Sequence, residues 1–211
     1  KTKEALKEKN KELIQRKKIE AQLWKSYGNL FKYESVGFFE TKYFFPEVNN
    51  GFGIVIGNPP YVRADNPDIA DLRKQIINSK KYKTLWEKWD LYVAFIEKGF
   101  ELLDQNGKLS YIIPDAYMAS KYAEKSHDYF LDNSTIERIN FCSEVKIFDA
   151  AVKNIIIQFS KKVNPMNIPL RLHHMESFEN SIILNSIPQS ELSINTFKLN
   201  QNTTILANII N

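Results

Sequence analysis

The stretch Asn49-Asn50-Gly51-Phe52-Gly53-Ile54-Val55-Ile56-Gly57-Asn58-Pro59-Pro60-Tyr61 decides how this chain is read. Asn-Asn-Gly is turn chemistry. Gly53-Ile54-Val55-Ile56-Gly57 is short, apolar and β-branched, which predicts a strand covered on both faces in a parallel sheet. That strand runs straight into Asn58-Pro59-Pro60-Tyr61. Neither proline has an amide hydrogen, each fixes its own φ, and Pro59 keeps Asn58 out of the helical region, so the turn is stiff before any ligand arrives. Open α/β sheets bind ligands at the carboxyl ends of their strands, where this turn falls.

Downstream, Asp90 is placed to cap a helix over residues 91–103 by accepting from the free amides of its first turn. Leu91, Phe95 and Leu102, with Tyr92, Ile96 and Leu103, fit helical spacing, and Asn106-Gly107 supplies a turn. Leu109-Ser110-Tyr111-Ile112-Ile113 reads as a strand stopped by Pro114. A polar helix across 121–131, a break at Asp132-Asn133 and strands over 136–141 and 154–159 follow, the last two close enough to pair as an antiparallel edge. Upstream, Ala5, Leu6, Leu13, Ile14, Ile19 and Leu23 recur on one face of a helix over 1–24. The expected fold is α/β with mostly parallel pairing and a helical N-terminal extension. Beyond residue 162 the alternation stops, and Pro165, Pro169 and many Asn and Ser predict a linker or the start of another domain. The expected divisions are 1–36, 37–162 and 163–211.

Composition narrows the function classes. No stretch of the 211 residues approaches the ~20 apolar residues of a membrane span, and no signal peptide is visible, so a cytoplasmic protein without a membrane partner is expected. Cys142 is the one cysteine and lies in an apolar run, as a core residue would. His127, His173 and His174 lack partners at ligand spacing, so no metal is expected. A net charge of +4 suits a polyanionic partner without requiring one.

The tetrapeptide has a chemistry of its own. Asn58 offers a side-chain oxygen and Pro59 a backbone oxygen, two acceptors for one amino group. Accepting both its hydrogens moves electron density to the nitrogen and lets positive charge build as it attacks a methyl. No general base or metal is needed. Tyr61 offers a flat face to a planar base, worth on the order of 1–3 kcal/mol. A plain turn with an aromatic staple is the competing reading of the same four residues. Arg63, then Lys80, Lys81 and Lys83, are the candidate phosphate contacts.

Residues 51–159, about half the chain, resemble the gamma-class adenine-specific DNA methyltransferases found in fused type IIG restriction-modification enzymes. The resemblance rests on Gly-Phe-Gly-Ile-Val-Ile-Gly-Asn-Pro-Pro-Tyr-Val-Arg preceded by Phe44-Phe45-Pro46-Glu47-Val48. It continues through Asp90-Leu91-Tyr92-Val93-Ala94-Phe95-Ile96-Glu97, Gly107-Lys108-Leu109-Ser110-Tyr111-Ile112-Ile113-Pro114 and Lys146-Ile147-Phe148-Asp149-Ala150-Ala151-Val152. It implies the later strands of a Rossmann-like class I methyltransferase sheet. It also implies methyl transfer from S-adenosylmethionine to the exocyclic amine of an adenine flipped out of double-stranded DNA. Asn58, Pro59, Pro60 and Tyr61 would then be catalytic, with Tyr61 and Phe148 binding the base, and Arg63, by its nearness to the motif, the substrate's phosphate. The rings of Tyr61 and Phe148 would stack on the base, offsetting the few kcal/mol that flipping costs. Asn58 and Pro60 would touch the methionine end of the donor.

The chain departs from the family upstream. Gly28, Gly37, Gly51, Gly53 and Gly57 do not form a glycine-rich donor loop after a strand. The expectation is therefore a fragment, inactive alone, whose donor-binding half and any nuclease domain lie elsewhere in the same polypeptide, with the start of a target-recognition region after residue 163. Methylation of a glutamine amide or an RNA base amine, and a non-catalytic DNA-binding or scaffold role, are the alternatives.

Overall fold

A computed structural model of the protein describes residues 2–30, 32, 41–149, 152–161 and 168–198. The residues around the division expected at 36, together with Ala150, Ala151 and Pro165, lie outside these. The chain forms two compact units, 1–49 and 50–211.

The first unit holds α1 (Thr2–Leu30) and α2 (Thr41–Phe44). Leu6, Leu13, Ile14 and Ile19 on α1 are all exposed. Near its end the Tyr27 ring stacks on the buried Phe44 ring, centroids 5.6 Å apart.

The second unit is a six-stranded sheet with helices: β1 (Phe52–Gly57), α3 (Ala70–Ser79), α4 (Leu91–Glu101), β2 (Leu103–Pro114), α5 (Glu124–Asn133), β3 (Thr135–Phe141), β4 (Asn154–Ser160), β5 (Leu170–Met175), β6 (Ser181–Ile187) and α6 (Ile194–Phe197). The strand order is β1-β2-β4-β3-β5-β6. The α/β expectation holds: β1, α3, α4 and β2 form a parallel crossover unit, the building block of Rossmann-like sheets. Gly51 starts this unit with φ of 113°, and a Cβ there would meet the backbone of Leu103 and Asp104 at 2.6 Å. Only glycine meets both demands.

Several expectations need correcting. Pairing is mixed: β1–β2 and β3–β5 are parallel, whereas β4 is antiparallel to β2 and β3 and lies between them, not at an edge. β3 and β4 pair directly with each other, and the link between them carries no crossover helix among the described residues, which suits a return in the opposite direction. The polar segment after the motif contains a helix, α3, and residues 170–187 add two strands to the same sheet across the division expected at 163. Asn106-Gly107 lies inside β2, where the β1–β2 register jumps between Phe52 and Ile54.

The core lies on one side of the sheet. Tyr92, Val93, Ile96 and Phe100 of α4 and Phe130 of α5 pack there with Leu109, Ile113, Ile139, Ile155, Ile157, Phe159 and Leu172 of the strands. β1 is not covered on both faces. It pairs on one side only, Val55 packs against the core, and Ile54 and Ile56 are 73% and 78% exposed. Alternation along a strand sends successive side chains to opposite faces, which is why Ile54 and Ile56 share the exposed one.

Cys142 is buried and burial pushes its thiol up to about 11, which suits a core residue and not a nucleophile. Among the described residues there is no cluster of metal ligands and no helix long and apolar enough to cross a membrane.

Candidate active site

β1 ends at Gly57, and the chain leaves the sheet through Asn58-Pro59-Pro60-Tyr61 at the strand's carboxyl end. Pro59 is buried, Asn58 and Pro60 are exposed and Tyr61 is half-buried. The buried proline seats the turn while its neighbours face outward. Neither the Asn58 carboxamide nor the Pro59 carbonyl has a hydrogen-bond partner among the described residues.

Asn58, Pro59, Pro60, Tyr61, Phe148 and Val152 line one recess of about 260 Å³. Residues far apart in sequence meet there because β4 runs back beside β2, carrying Val152 and the preceding loop to the end of the sheet where β1 stops. Ligand sites for drug-sized molecules run from ~300 Å³ upward. A planar base is smaller than that.

Tyr61 is held from two directions. Its hydroxyl donates to the Ile112 carbonyl at 3.0 Å. Burial first, and the nearby Cys142 second, push that hydroxyl up to about 12, so it stays a neutral donor at any working pH. Its ring meets Tyr92 edge-on at 6.3 Å and Phe148 edge-on at 6.4 Å, with an interplanar angle of 79° in the second pair. Edge-on contact is the favoured arrangement for two rings touching each other. Stacking on both faces of one base needs parallel rings instead, so a clamp requires Phe148 to swing through most of a right angle.

Arg63 lies next to the site, lining an adjoining recess with Tyr61, Val62, Asp65 and Asn66. It pairs with Asp65 at 3.1 Å, and its side chain is 78% exposed. The other basic candidates go elsewhere: Lys81 and Lys83 line a recess with Glu97, Lys98 and Glu101, the last turns of α4. The motif loop is bonded to the first turn, through the Leu91 amide and Val62 carbonyl at 2.9 Å. Ten residues of helix separate those ends by ~15 Å. Lys80 follows α3 as its left-handed cap and is exposed.

Asp90 occupies the N-cap position of α4, yet its carboxylate makes no bond to that helix. Ala64 and Tyr122 use it instead. Sequence reasoning found Asp90 but gave it the wrong partners, and it gave Tyr92 and Val152 no place at the site. Tyr92 fits helical spacing as a core residue, and nothing local marks it as the support of Tyr61.

Of the residues on the recess, Asn58 and Pro60 could hold one end of S-adenosylmethionine, and the exposed Ile54 and Ile56 lie on the strand that leads to them.

Comparison with known proteins supplies the family. The profile of the Eco57I restriction-modification methylase family matches residues 1–148. The chain is 35% identical over 88 residues to the type II methyltransferase M.BstVI of Geobacillus stearothermophilus, covering 42% of this chain and 15% of that protein. Against the type II methyltransferase M.HincII of Haemophilus influenzae it is 27% identical over 192 residues, 79% of this chain and 36% of the relative. The type II restriction enzyme and methyltransferase RM.Eco57I of Escherichia coli is 24% identical over 123 residues, 58% of this chain and 12% of the relative. The chain thus spans between 12% and 36% of the length of these curated relatives. Since the profile takes in more than half of its residues, among them the whole Asn-Pro-Pro-Tyr turn and Phe148, this chain belongs to the Eco57I restriction-modification methylase family.

Proposed function

We propose that this chain carries the acceptor side of an S-adenosylmethionine-dependent DNA methyltransferase that modifies the exocyclic amine of adenine in double-stranded DNA. The observation that carries the reading is the Asn58 carboxamide, exposed and unpartnered among the described residues, on the same recess as Tyr61 and Phe148. The family's methylase description and relatives named as type II methyltransferases support it.

In this reading the base stacks on Tyr61, and its amine donates one hydrogen to the Asn58 side-chain oxygen and the other to the Pro59 carbonyl. The donor, when bound, supplies an electrophilic methyl. Asn58 and Pro59 stabilise the positive charge that grows on the nitrogen during attack, and one of the two hydrogens they hold then leaves as a proton. Phe148 closes on the second face of the base, and Arg63 takes a backbone phosphate near the flipped nucleotide. The rest of the donor site, and in a protein like RM.Eco57I a nuclease, would come from other parts of a longer cytoplasmic polypeptide.

The test uses the full polypeptide that carries this chain, with duplex DNA and labelled donor. Asn58→Ala is expected to lower turnover roughly 100-fold or more, the scale of losing one fixed donor or acceptor at a charged transition state, while DNA binding persists. Unchanged turnover removes Asn58 from the mechanism. Digestion of the product separates methyladenine in DNA from methylglutamine in protein or a methylated RNA base.

A further inference from the structure

Asp90 connects the motif loop to a chain of tyrosines. Its Oδ1 accepts from the Ala64 amide at 3.1 Å, three residues beyond Tyr61. Its Oδ2 accepts from the Tyr122 hydroxyl at 2.9 Å. A carboxylate only accepts, so the Tyr122 proton is committed to it. The 2.8 Å contact between the Tyr122 and Tyr92 hydroxyls must then run with Tyr92 as donor. Tyr92, with 1% of its surface exposed, presents its ring edge-on to Tyr61. The row is polarised throughout in one direction, from Tyr92 through Tyr122 to Asp90.

Two routes thus lead from one carboxylate to the stacking tyrosine. One is backbone: Asp90 grips the Ala64 amide while the next residue, Leu91, donates to the Val62 carbonyl. The other is the hydroxyl row, which fixes the ring behind Tyr61. Arg73 is the cation near Asp90; its guanidinium lies over the Trp89 ring at 4.2 Å and donates to the Glu87 and Trp89 carbonyls, bracing the segment that leads into Asp90. A helix cap needs none of this, and the helix amides are not what the carboxylate serves.

We propose that Asp90 is a positioning residue for the acceptor base: through the Ala64 amide and the Tyr122–Tyr92 hydroxyl row it sets the place and tilt of Tyr61. It touches neither base nor donor. The inference rests on the adenine-methyltransferase reading for its consequence in turnover, but the hold on the loop is independent of that reading.

The experiment compares wild type, Asp90→Asn, Tyr122→Phe and the double variant in the full polypeptide. Each single variant is expected to lower kcat roughly ten- to hundredfold, the worth of a hydrogen bond to a charged group, with the KM for donor unchanged and the protein still folded at the assay temperature. The double variant is expected to be no worse than the poorer single, because both changes cut the same row. With 2-aminopurine as the target base, the fluorescence change on binding should differ from wild type in both. Wild-type kcat in both single variants overturns the proposal, and so does full additivity. If Asp90→Asn does not fold, Tyr122→Phe, which removes one oxygen, decides alone: reduced kcat in the folded variant with an unchanged KM for donor supports the proposal, wild-type kcat overturns it. If the wild type transfers no methyl to DNA adenine, the functional reading fails. Hydrogen exchange at the Ala64 amide in the 211-residue chain then decides Asp90's hold on the loop. Faster exchange in Asp90→Ala, which removes the acceptor that Asn would keep, supports it, and unchanged protection overturns it.

Discussion

At Phe148 the single residue matters through the angle of its ring. It lines the recess with Asn58 and Tyr61, yet it stands edge-on to Tyr61. If it closes on the second face of a flipped base, Phe148→Ala removes one of two stacking partners, worth about 1–3 kcal/mol. The expected outcome is weaker retention of 2-aminopurine at the target position, with overall DNA affinity little changed because phosphate contacts dominate it. Identical fluorescence in wild type and variant would return Phe148 to the role of a wall residue. Asn58 and the two prolines were legible in sequence because their chemistry is local. Phe148 was legible only through the family resemblance, since an aromatic in a loop announces nothing about what it faces.

Among the elements, α4 does more than cover the sheet. Its first turn is bonded to the motif loop, and its buried Glu97 accepts from the Lys83 amide at 2.7 Å, the Thr84 amide at 2.9 Å and the Thr84 hydroxyl at 2.6 Å. Glu97 thereby pins the segment after α3 to the helix. Glu97→Ala would leave buried donors unpaired, at a cost of about 3 kcal/mol. A lower urea midpoint at an unchanged slope would show it, whereas wild-type stability would mean that the segment finds other partners. The helix periodicity of α4 was readable because 3.6-residue spacing is a local pattern. The position of β4 was not, because the choice between an edge and an interior slot depends on which hydrogen-bonding partners are free, and those lie on β2, forty or more residues earlier in the chain.

For the whole molecule, His127 links protonation to stability. It is 1% exposed, its ring stacks on Phe197 at 4.1 Å, and its Nε2 lies 2.9 Å from the Tyr117 carbonyl, while its buried Nδ1 has no partner among the described residues. Burial pushes it down to about 4, against the pull of the Tyr117 carbonyl. An unfolded histidine titrates near 6.5, so between about 6.5 and about 4 the unfolded chain binds a proton that the folded one refuses. Stability contributed by neutral His127 is complete above about pH 6.5 and falls as pH drops towards 4, by about 3 kcal/mol in all. His127→Phe is expected to flatten the fall in unfolding free energy between pH 7 and 4.5. An equally steep fall in the variant would place the proton uptake on other groups.

The sequence by itself determined the stiff Asn-Pro-Pro-Tyr turn, the strand that delivers it and the α/β alternation that follows, because proline geometry and side-chain periodicity act within a few residues. Only the tertiary structure decided that β4 inserts antiparallel between β2 and β3, that β1 keeps one face exposed, and that Asp90 serves Ala64 and Tyr122 instead of its own helix. Those outcomes turn on which distant groups compete for one edge, one face or one carboxylate, and that competition is settled by packing across the chain, where no local pattern reaches.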